Sequence, residues 1–327
     1  MGIPDEEKMS ARSTVRAARL HEHGKPLEIE EVELPEPSEH EIRVELQFGG
    51  VNPVDLYTAQ GRVAPDGPLP RTLGAEAAGT ADGRRVLVAG GGLGAVRDGV
   101  WAEAAVVPRA AVFELPDGVE PRDAAAMGIA GLTAHNVVRD LGRVSAEDRV
   151  LVLGASGGVG TMIVSLAAAA GASVWGQVGS AGKREAVERQ GAERVVVAGP
   201  DQLAQALGEF EPTIVFDPLG DGFVQPVLEA LTLHGRIVSF GTSAGPHVEL
   251  NMQTLYRKGL SLLGYAGLQL GPQERRRGLE AALEALRAGQ LRVLIDEVLP
   301  LEKVGEAFAR IERRQVRGKL LLALGDS

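Results

Sequence analysis

The stretch Arg149-Val-Leu-Val-Leu-Gly-Ala-Ser-Gly-Gly-Val-Gly160 runs an apolar strand into glycines that open a helix. Such a junction can hold a pyrophosphate. Glycines let the backbone approach the phosphates, and the helix N-terminus offers unpaired N–H groups and a positive dipole end. Gly157 and Gly160 take the second and third places of a G-x-G-x-x-G pattern, Ala155 stands at the first, and Gly158 is an additional glycine. The pattern alone is weak. It gains weight from the apolar strand at 150–153 before it and the apolar helix at 162–170 after it.

The next chemically informative residues lie where the second strand of such a fold would end, at Val174-Trp-Gly-Gln-Val-Gly-Ser-Ala-Gly-Lys183-Arg184. An NAD-binding version places Asp or Glu there, about 20 residues beyond the glycines, to bond the ribose 2′-hydroxyl. Here no carboxylate stands at the strand end. Ser180 offers a hydroxyl, and Lys183 and Arg184 offer positive charge, which suits a 2′-phosphate. This favours NADPH over NADH. The competing reading is a solvated helix face, with Glu185 and Glu188 beside the two cations. Only six of the 34 basic residues are lysine, which singles out Lys183.

Other chemistries are closed by what the chain lacks. It has no cysteine, so disulfides, thiolate nucleophiles and cysteine-ligated zinc are excluded. The six histidines (21, 23, 40, 135, 234 and 247) show no metal-ligand spacing. A net charge of −10 argues against nucleic-acid or anionic-membrane partners. No apolar run reaches the length of a membrane span. The polar residues 1–13 lack a signal-peptide core and are expected to form a disordered tail on a cytoplasmic protein.

The elements that must position these groups fall into two patterns. Up to residue 115 the signals are short strands punctuated by proline, at 15–20, 27–34, 41–48 and 85–89, which predicts an all-β, barrel-like unit. Helices are expected at 121–127 and 133–141. Strands at 149–153, 173–178, 194–197, 213–217, 236–241 and 261–266 then alternate with helices at 158–170, 183–190, 202–208, 223–233 and 252–259. That alternation predicts a six-stranded parallel sheet with helices on both faces. The tail, 272–324, reads as two helices, a β segment at 296–299 and a final strand at 319–324, and is expected to return to the first unit.

Several segments resemble the zinc-free medium-chain dehydrogenases/reductases, specifically their quinone oxidoreductase (zeta-crystallin-like) branch. They are Gly50-Val-Asn-Pro-Val-Asp-Leu-Tyr57 with Gly61, Leu73-Gly-Ala-Glu-Ala-Ala-Gly79, Gly99-Val-Trp-Ala-Glu-Ala104, the stretch 124–134, Phe240-Gly-Thr242 and Gly318-Lys319. The resemblance covers nearly the whole chain from Thr14. It implies an α/β fold made of a GroES-like β-barrel catalytic domain, residues 14–120 and 267–327, and a six-stranded parallel Rossmann domain, residues 121–266. Zinc-dependent relatives carry a cysteine where Asn52 stands and a histidine where Ala75 stands, so no metal site is expected.

The resemblance implies that the turn Ser156, Gly157, Gly158, Val159 and Gly160 holds the pyrophosphate. Ser180, Lys183 and Arg314 would meet the 2′-phosphate. Phe240, Gly241 and Thr242, with Gly264, Tyr265 and Ala266, would line the nicotinamide, with Thr133 close to it and to the substrate. Asn52 and Tyr57 are the substrate-side candidates. An amide or phenol can donate to the oxygen that gains charge as hydride arrives, and Tyr57 can supply a proton. A turn-forming Asn52 and a packing Tyr57 are the plainer readings. Asp55 is expected to organise the loop by accepting hydrogen bonds, and Glu76 to be structural. The expected activity is NADPH-dependent reduction of a quinone or an α,β-unsaturated carbonyl by a homodimer. The alternatives are an enoyl-thioester reductase and a non-catalytic NADPH-binding protein.

Overall fold

The computed structural model describes residues 14–325; the expected tail at 1–13 lies outside the described residues. The strands are β1 Thr14–Leu20, β2 Glu28–Glu33, β3 Glu41–Val51, β4 Arg71–Thr72, β5 Glu76–Ala81, β6 Arg84–Ala89, β7 Ala104–Pro108 and β8 Val112–Glu114. They continue with β9 Arg149–Val152, β10 Ser173–Val178, β11 Arg194–Val197, β12 Ile214–Asp217, β13 Arg236–Ser239, β14 Ser261–Gly264, β15 Ile295–Pro300 and β16 Lys319–Ala323. The helices are α1 Pro53–Ala59, α2 Pro121–Ala125, α3 Ala130–Asn136, α4 Gly158–Ala169, α5 Arg184–Glu188, α6 Pro200–Leu207, α7 Val224–Ala230, α8 Met252–Lys258, α9 Pro272–Arg287 and α10 Val304–Glu312.

Strands β9 to β14 form one parallel sheet in the order β11-β10-β9-β12-β13-β14. This is the doubly wound dinucleotide-binding arrangement, whose crevice opens at the carboxyl ends of the strands where the order reverses, between β9 and β12. Its central strands are apolar on both faces because helices cover both. Val150, Leu151, Val152, Val215 and Phe216 are fully buried. Helix α4 is apolar all round for the same reason, lying between the sheet, α3 and the segment that carries Leu291.

The second large sheet is mixed, in the order β15-β16-β3-β5-β6-β8, with β7 also paired to β3. The last strand, β16, lies antiparallel to β3, so the end of the chain joins the sheet built by its beginning. A three-stranded sheet, β2-β1-β4, packs alongside. Trp101 fills the core between these elements, donating from Nε1 to Gly50 O at 3.2 Å. It stands so close to Gly74 (φ +100°) that a Cβ there would lie 2.4 Å from the ring.

The expected strands and helices of the parallel sheet are present within a few residues at their ends. Several features of the other half escaped the sequence reading, among them the short strands β4 and β8. Residues 53–59 are a helix, with Pro53 at its first position and Asp55 accepting from the Asn52 N–H at 2.8 Å. Residues 76–81 pair with β6 through the two-residue turn Asp82-Gly83, both at positive φ. The helix expected at 133–141 begins earlier, at Ala130, and passes at Val137 into a π-helical turn ending at Leu141. Arg236 holds that turn by donating twice to Gly142 O.

Candidate active site

The turn between β9 and α4 is shaped by contacts that each glycine must permit. Gly154 has φ +57°, and its N–H donates to Gln177 Oε1 at 2.9 Å, tying the turn to β10. A Cβ on Gly160 would sit 2.6 Å from Gly154 O and 2.9 Å from Ala155 Cα, so this glycine lets the helix pack on its own entry turn. Gly157 differs. A Cβ there would meet only Gly154 O, at 3.4 Å, so its open side faces space at the helix N-terminus. The additional glycine, Gly158, is explained by a distant residue: a Cβ on it would lie 2.7 Å from Lys319 Cδ. Ser156 is buried, and its carbonyl accepts from Gly318 N–H at 2.8 Å. Val159 packs on the core beneath.

At the end of β10, exposed Ser180 precedes a turn that presents Lys183. Lys183 Nζ donates to Arg314 O at 2.6 Å, and Arg314 donates to Ser243 O at 2.7 Å, so residues far apart in sequence converge here. Burial, then the positive charges of Arg314 and Arg317, hold the Lys183 ammonium below the usual lysine range, against the opposing pull of Asp296. Arg317 was missed by the sequence reading, although it is one more cation in a segment already singled out. Arg317 is itself paired with Asp296 at 3.2 Å, which leaves Lys183 and Arg314 as the cations facing each other here.

The strand ends of β13 and β14 carry the third group. Phe240 packs against the core, and Gly241 approaches Pro218 so closely that a Cβ would lie 3.0 Å from its carbonyl oxygen. Thr242 follows, beside the Ser243 that receives Arg314. Just past Gly264, Tyr265 donates its backbone N–H to Ser239 O, and Ala266 continues into a short 3-10 turn. The Tyr265 hydroxyl accepts from Asn136 Nδ2 at 3.3 Å. Burial raises its pKa, and the polar neighbours Asn136 and Thr133 oppose the rise. Thr133 donates to Ile129 O at 2.9 Å. Asn136 is therefore a site neighbour of Thr133 and Tyr265. His135 is half-buried, and burial lowers its pKa, which keeps the ring neutral near pH 7.

The fourth group surrounds Asn52, and none of it had been read as a unit. Lys319, fully buried on β16, donates to Val51 O at 3.1 Å, Asn52 Oδ1 at 2.5 Å and Glu76 Oε1 at 2.8 Å. Asn52 Nδ2 donates to the same Glu76 oxygen at 2.7 Å, and Glu76 Oε2 accepts the Ile129 N–H at 2.5 Å. Asp55 accepts from Asn52 N–H and from Ala75 N–H. Burial, reinforced by the Glu76 charge, pushes its carboxyl up to about 7 against the pull of the two N–H bonds and Lys319. Asn52 is thus a buried, fully oriented amide. Tyr57 lies apart from this network, half-buried under Arg62, whose guanidinium carbon is 4.3 Å from the ring centroid.

A zinc ion fits poorly here. The side chains at 52 and 75 are an amide and a methyl, and the nearest oxygen donors, Asn52 Oδ1 and Glu76 Oε1, already serve the Lys319 ammonium. Among the described residues, the histidine and carboxylate group of His21, Glu28 and Glu30 lies on the surface of the β1–β2 hairpin.

Comparison with known proteins places these features in context. Residues 158–285 match the family model described as "Zinc-binding dehydrogenase". The chain is 31% identical to quinone oxidoreductase 1 of Escherichia coli (strain K12) over 328 residues, covering 93% of this chain and 98% of that one. A crystal structure of an NAD-dependent alcohol dehydrogenase is similar with a TM-score of 0.85 and 29% identity, covering 95% of this chain and all of the other. A mycobacterial structure complexed with NADPH is similar with a TM-score of 0.82 and 24% identity, covering 94% and 99%. The shared architecture therefore occurs with either nicotinamide dinucleotide.

Proposed function

Because the chain belongs to the quinone oxidoreductase family of medium-chain dehydrogenases/reductases, we propose that it is an NADPH-dependent, zinc-independent reductase of quinones or α,β-unsaturated carbonyls. The observation that supports the cofactor choice is the convergence of Lys183 and Arg314 at the end of β10, where an NAD-binding chain presents a carboxylate. When bound, NADPH would supply a hydride from its nicotinamide ring. Ser156, Gly157, Gly158, Val159 and Gly160 would hold its pyrophosphate, with Ser180 assisting the cations at the 2′-phosphate. Phe240, Gly241 and Thr242, with Gly264, Tyr265 and Ala266, would form the nicotinamide wall.

On the substrate side, Asn52 retains one Nδ2 hydrogen beyond the bond to Glu76 and can donate it to an oxygen that gains charge as hydride arrives, whereas Thr133 would have to turn its hydroxyl away from Ile129 O to do the same. Tyr57 is the proposed proton source, since its phenol O–H can donate a proton. Zinc independence is supported by the Lys319 ammonium, which occupies the donor set that a metal would need.

The reading divides the chain into a catalytic unit, 14–120 with 267–327, and a dinucleotide unit, 121–266. It also takes the protein to be a homodimer in which β14, the edge of the parallel sheet, pairs with its copy. Leu262 on that strand is 43% exposed, and Tyr256 on the helix before it 66%.

The test is NADPH oxidation against a panel of quinones, enones and enoyl thioesters. Turnover with quinones or enones is expected, and NADPH binding without turnover of any of them would sink the proposal. Undiminished turnover in Tyr57→Phe would remove the proton role of Tyr57.

A further inference from the structure

Lys319 stands at the crossing of two sites that the chain builds from remote segments. Its stem lies on the first residue of α4, where only a glycine leaves room. The residue before it, Gly318, is hydrogen-bonded to Ser156 of the dinucleotide turn. Its ammonium ends in the Asn52 node, 2.5 Å from the amide oxygen. The amide has two faces that a free asparagine could exchange. Here the cation takes Oδ1 and the Glu76 carboxylate takes Nδ2, so charge at both ends fixes which way the amide points. Glu76 in turn holds the Ile129 N–H at the start of the helix that carries Thr133.

We propose that Lys319 is a positioning residue that orients the Asn52 amide toward the substrate cleft and holds it in register with the dinucleotide turn. A buried ion pair is weak as a source of stability, since removing both charges from the core is often neutral. Specification of a single side-chain arrangement is the use to which this pair is put, and it explains why a lysine is threaded between a glycine helix start and a buried amide. For its kinetic consequence this role rests on the reductase reading above.

The test compares wild type, Lys319→Arg, and the double variant Lys319→Met with Glu76→Gln. The double variant removes both charges of the pair together, so below about pH 7, where Asp55 is protonated, it keeps a folded protein with a Tm near wild type even where Lys319→Met alone fails to fold. With NADPH and a quinone, kcat is expected to fall at least tenfold in the double variant while the NADPH Kd changes less than threefold. Lys319→Arg is expected to recover most of the loss. Wild-type kcat in the folded double variant would reduce Lys319 to charge compensation and overturn the proposal.

Amide hydrogen exchange supplies a readout that needs no turnover. The Asn52 and Asp55 N–H groups, now bonded to Asp55 Oδ2 and Asn52 O, are expected to exchange at least tenfold faster in the double variant. Unchanged exchange there overturns the positioning role whatever the acceptor is. A wild-type protein that oxidises no NADPH, with exchange accelerated in the double variant, overturns the reductase reading alone.

Discussion

The turn that opens α4 and the node around Asn52 are neighbours joined by Lys319, yet they are built on opposite principles. The turn is made of backbone. Its shape follows from residues whose side chains are absent, Gly157, Gly158 and Gly160, and its polarity from helix N–H groups. The node is made of side chains: Lys319, Glu76, Asn52 and Asp55, all buried and drawn from β16, β5 and the start of α1. A backbone site tolerates the loss of a charge and fails when a methyl is added. A charged, buried site tolerates changes of bulk and fails when one partner is removed. The two regions should therefore break under different substitutions, and the measurements below separate them by size.

The largest effect is expected at the node. Glu76→Leu would strand the Lys319 ammonium with two neutral oxygens and orphan the Ile129 N–H. Breaking a buried pair from one side costs about 3–5 kcal/mol, read as a fall in denaturant-unfolding stability. No single glycine substitution in the turn should reach that figure, and a Glu76→Leu cost below about 1 kcal/mol would erase the contrast.

The node should also respond to pH where the turn does not. The Asp55 carboxyl is pushed up to about 7, while in the unfolded chain it titrates near the ordinary value of 3.8. Between those values the folded state binds the extra proton, so stability falls as pH rises from about 4 through about 7 and levels off above. The swing is of the order of a few kcal/mol. Asp55→Asn should flatten the stability profile in that window, and an unchanged slope would assign the pH dependence to another group.

How much could be read in advance divides along the same line. The turn was legible because its information is local: an apolar strand, spaced glycines and a helix lie within twenty residues, and the parallel sheet around it repeats the same alternation. Its one puzzling residue, Gly158, was illegible because the reason for it sits on β16. The node was not legible as a unit. Asn52 and Asp55 stood out as loop residues and Glu76 as structural, but nothing in a linear chain says that Lys319 reaches all of them.

A usable signal did exist. The scarcity of lysine that drew attention to Lys183 applied equally to Lys319, which opens the apolar run Leu320-Leu-Leu322 and is buried in the structure. The missed strand Glu76–Ala81 had its own signal, the Asp82-Gly83 pair that sets a tight hairpin.

Within the turn, Gly160 and Gly157 should part company. Gly160→Ala forces a methyl to 2.6 Å from Gly154 O and is expected to cost about 1–3 kcal/mol of stability, as overpacking does. Gly157→Ala meets only the 3.4 Å contact with the same oxygen, so its stability should stay within about 0.5 kcal/mol of wild type. On the proposed reading its methyl stands where the phosphates would approach, and dinucleotide affinity should fall about tenfold. Equal loss of stability in the two variants would mean that the turn is a packing device with no open face.

The smallest expected effect falls at the proposed adenosine end, where the site is again built of charge but lies at the surface. Lys183 donates to the Arg314 carbonyl and faces Arg314 and Arg317. Its removal strands no partner in a dry core, so Lys183→Ala should leave stability within about 0.5 kcal/mol of wild type. The ammonium matters once a 2′-phosphate is present, where a charge-assisted hydrogen bond contributes about 1.5–3 kcal/mol. Screening and the remaining arginines reduce the loss to roughly tenfold in NADPH Kd. NADH lacks the phosphate, so its Kd should not move. Parallel titrations of the two dinucleotides on wild type and Lys183→Ala decide the matter, and a loss shared equally by both would show that the cation cluster serves the fold rather than the choice of cofactor.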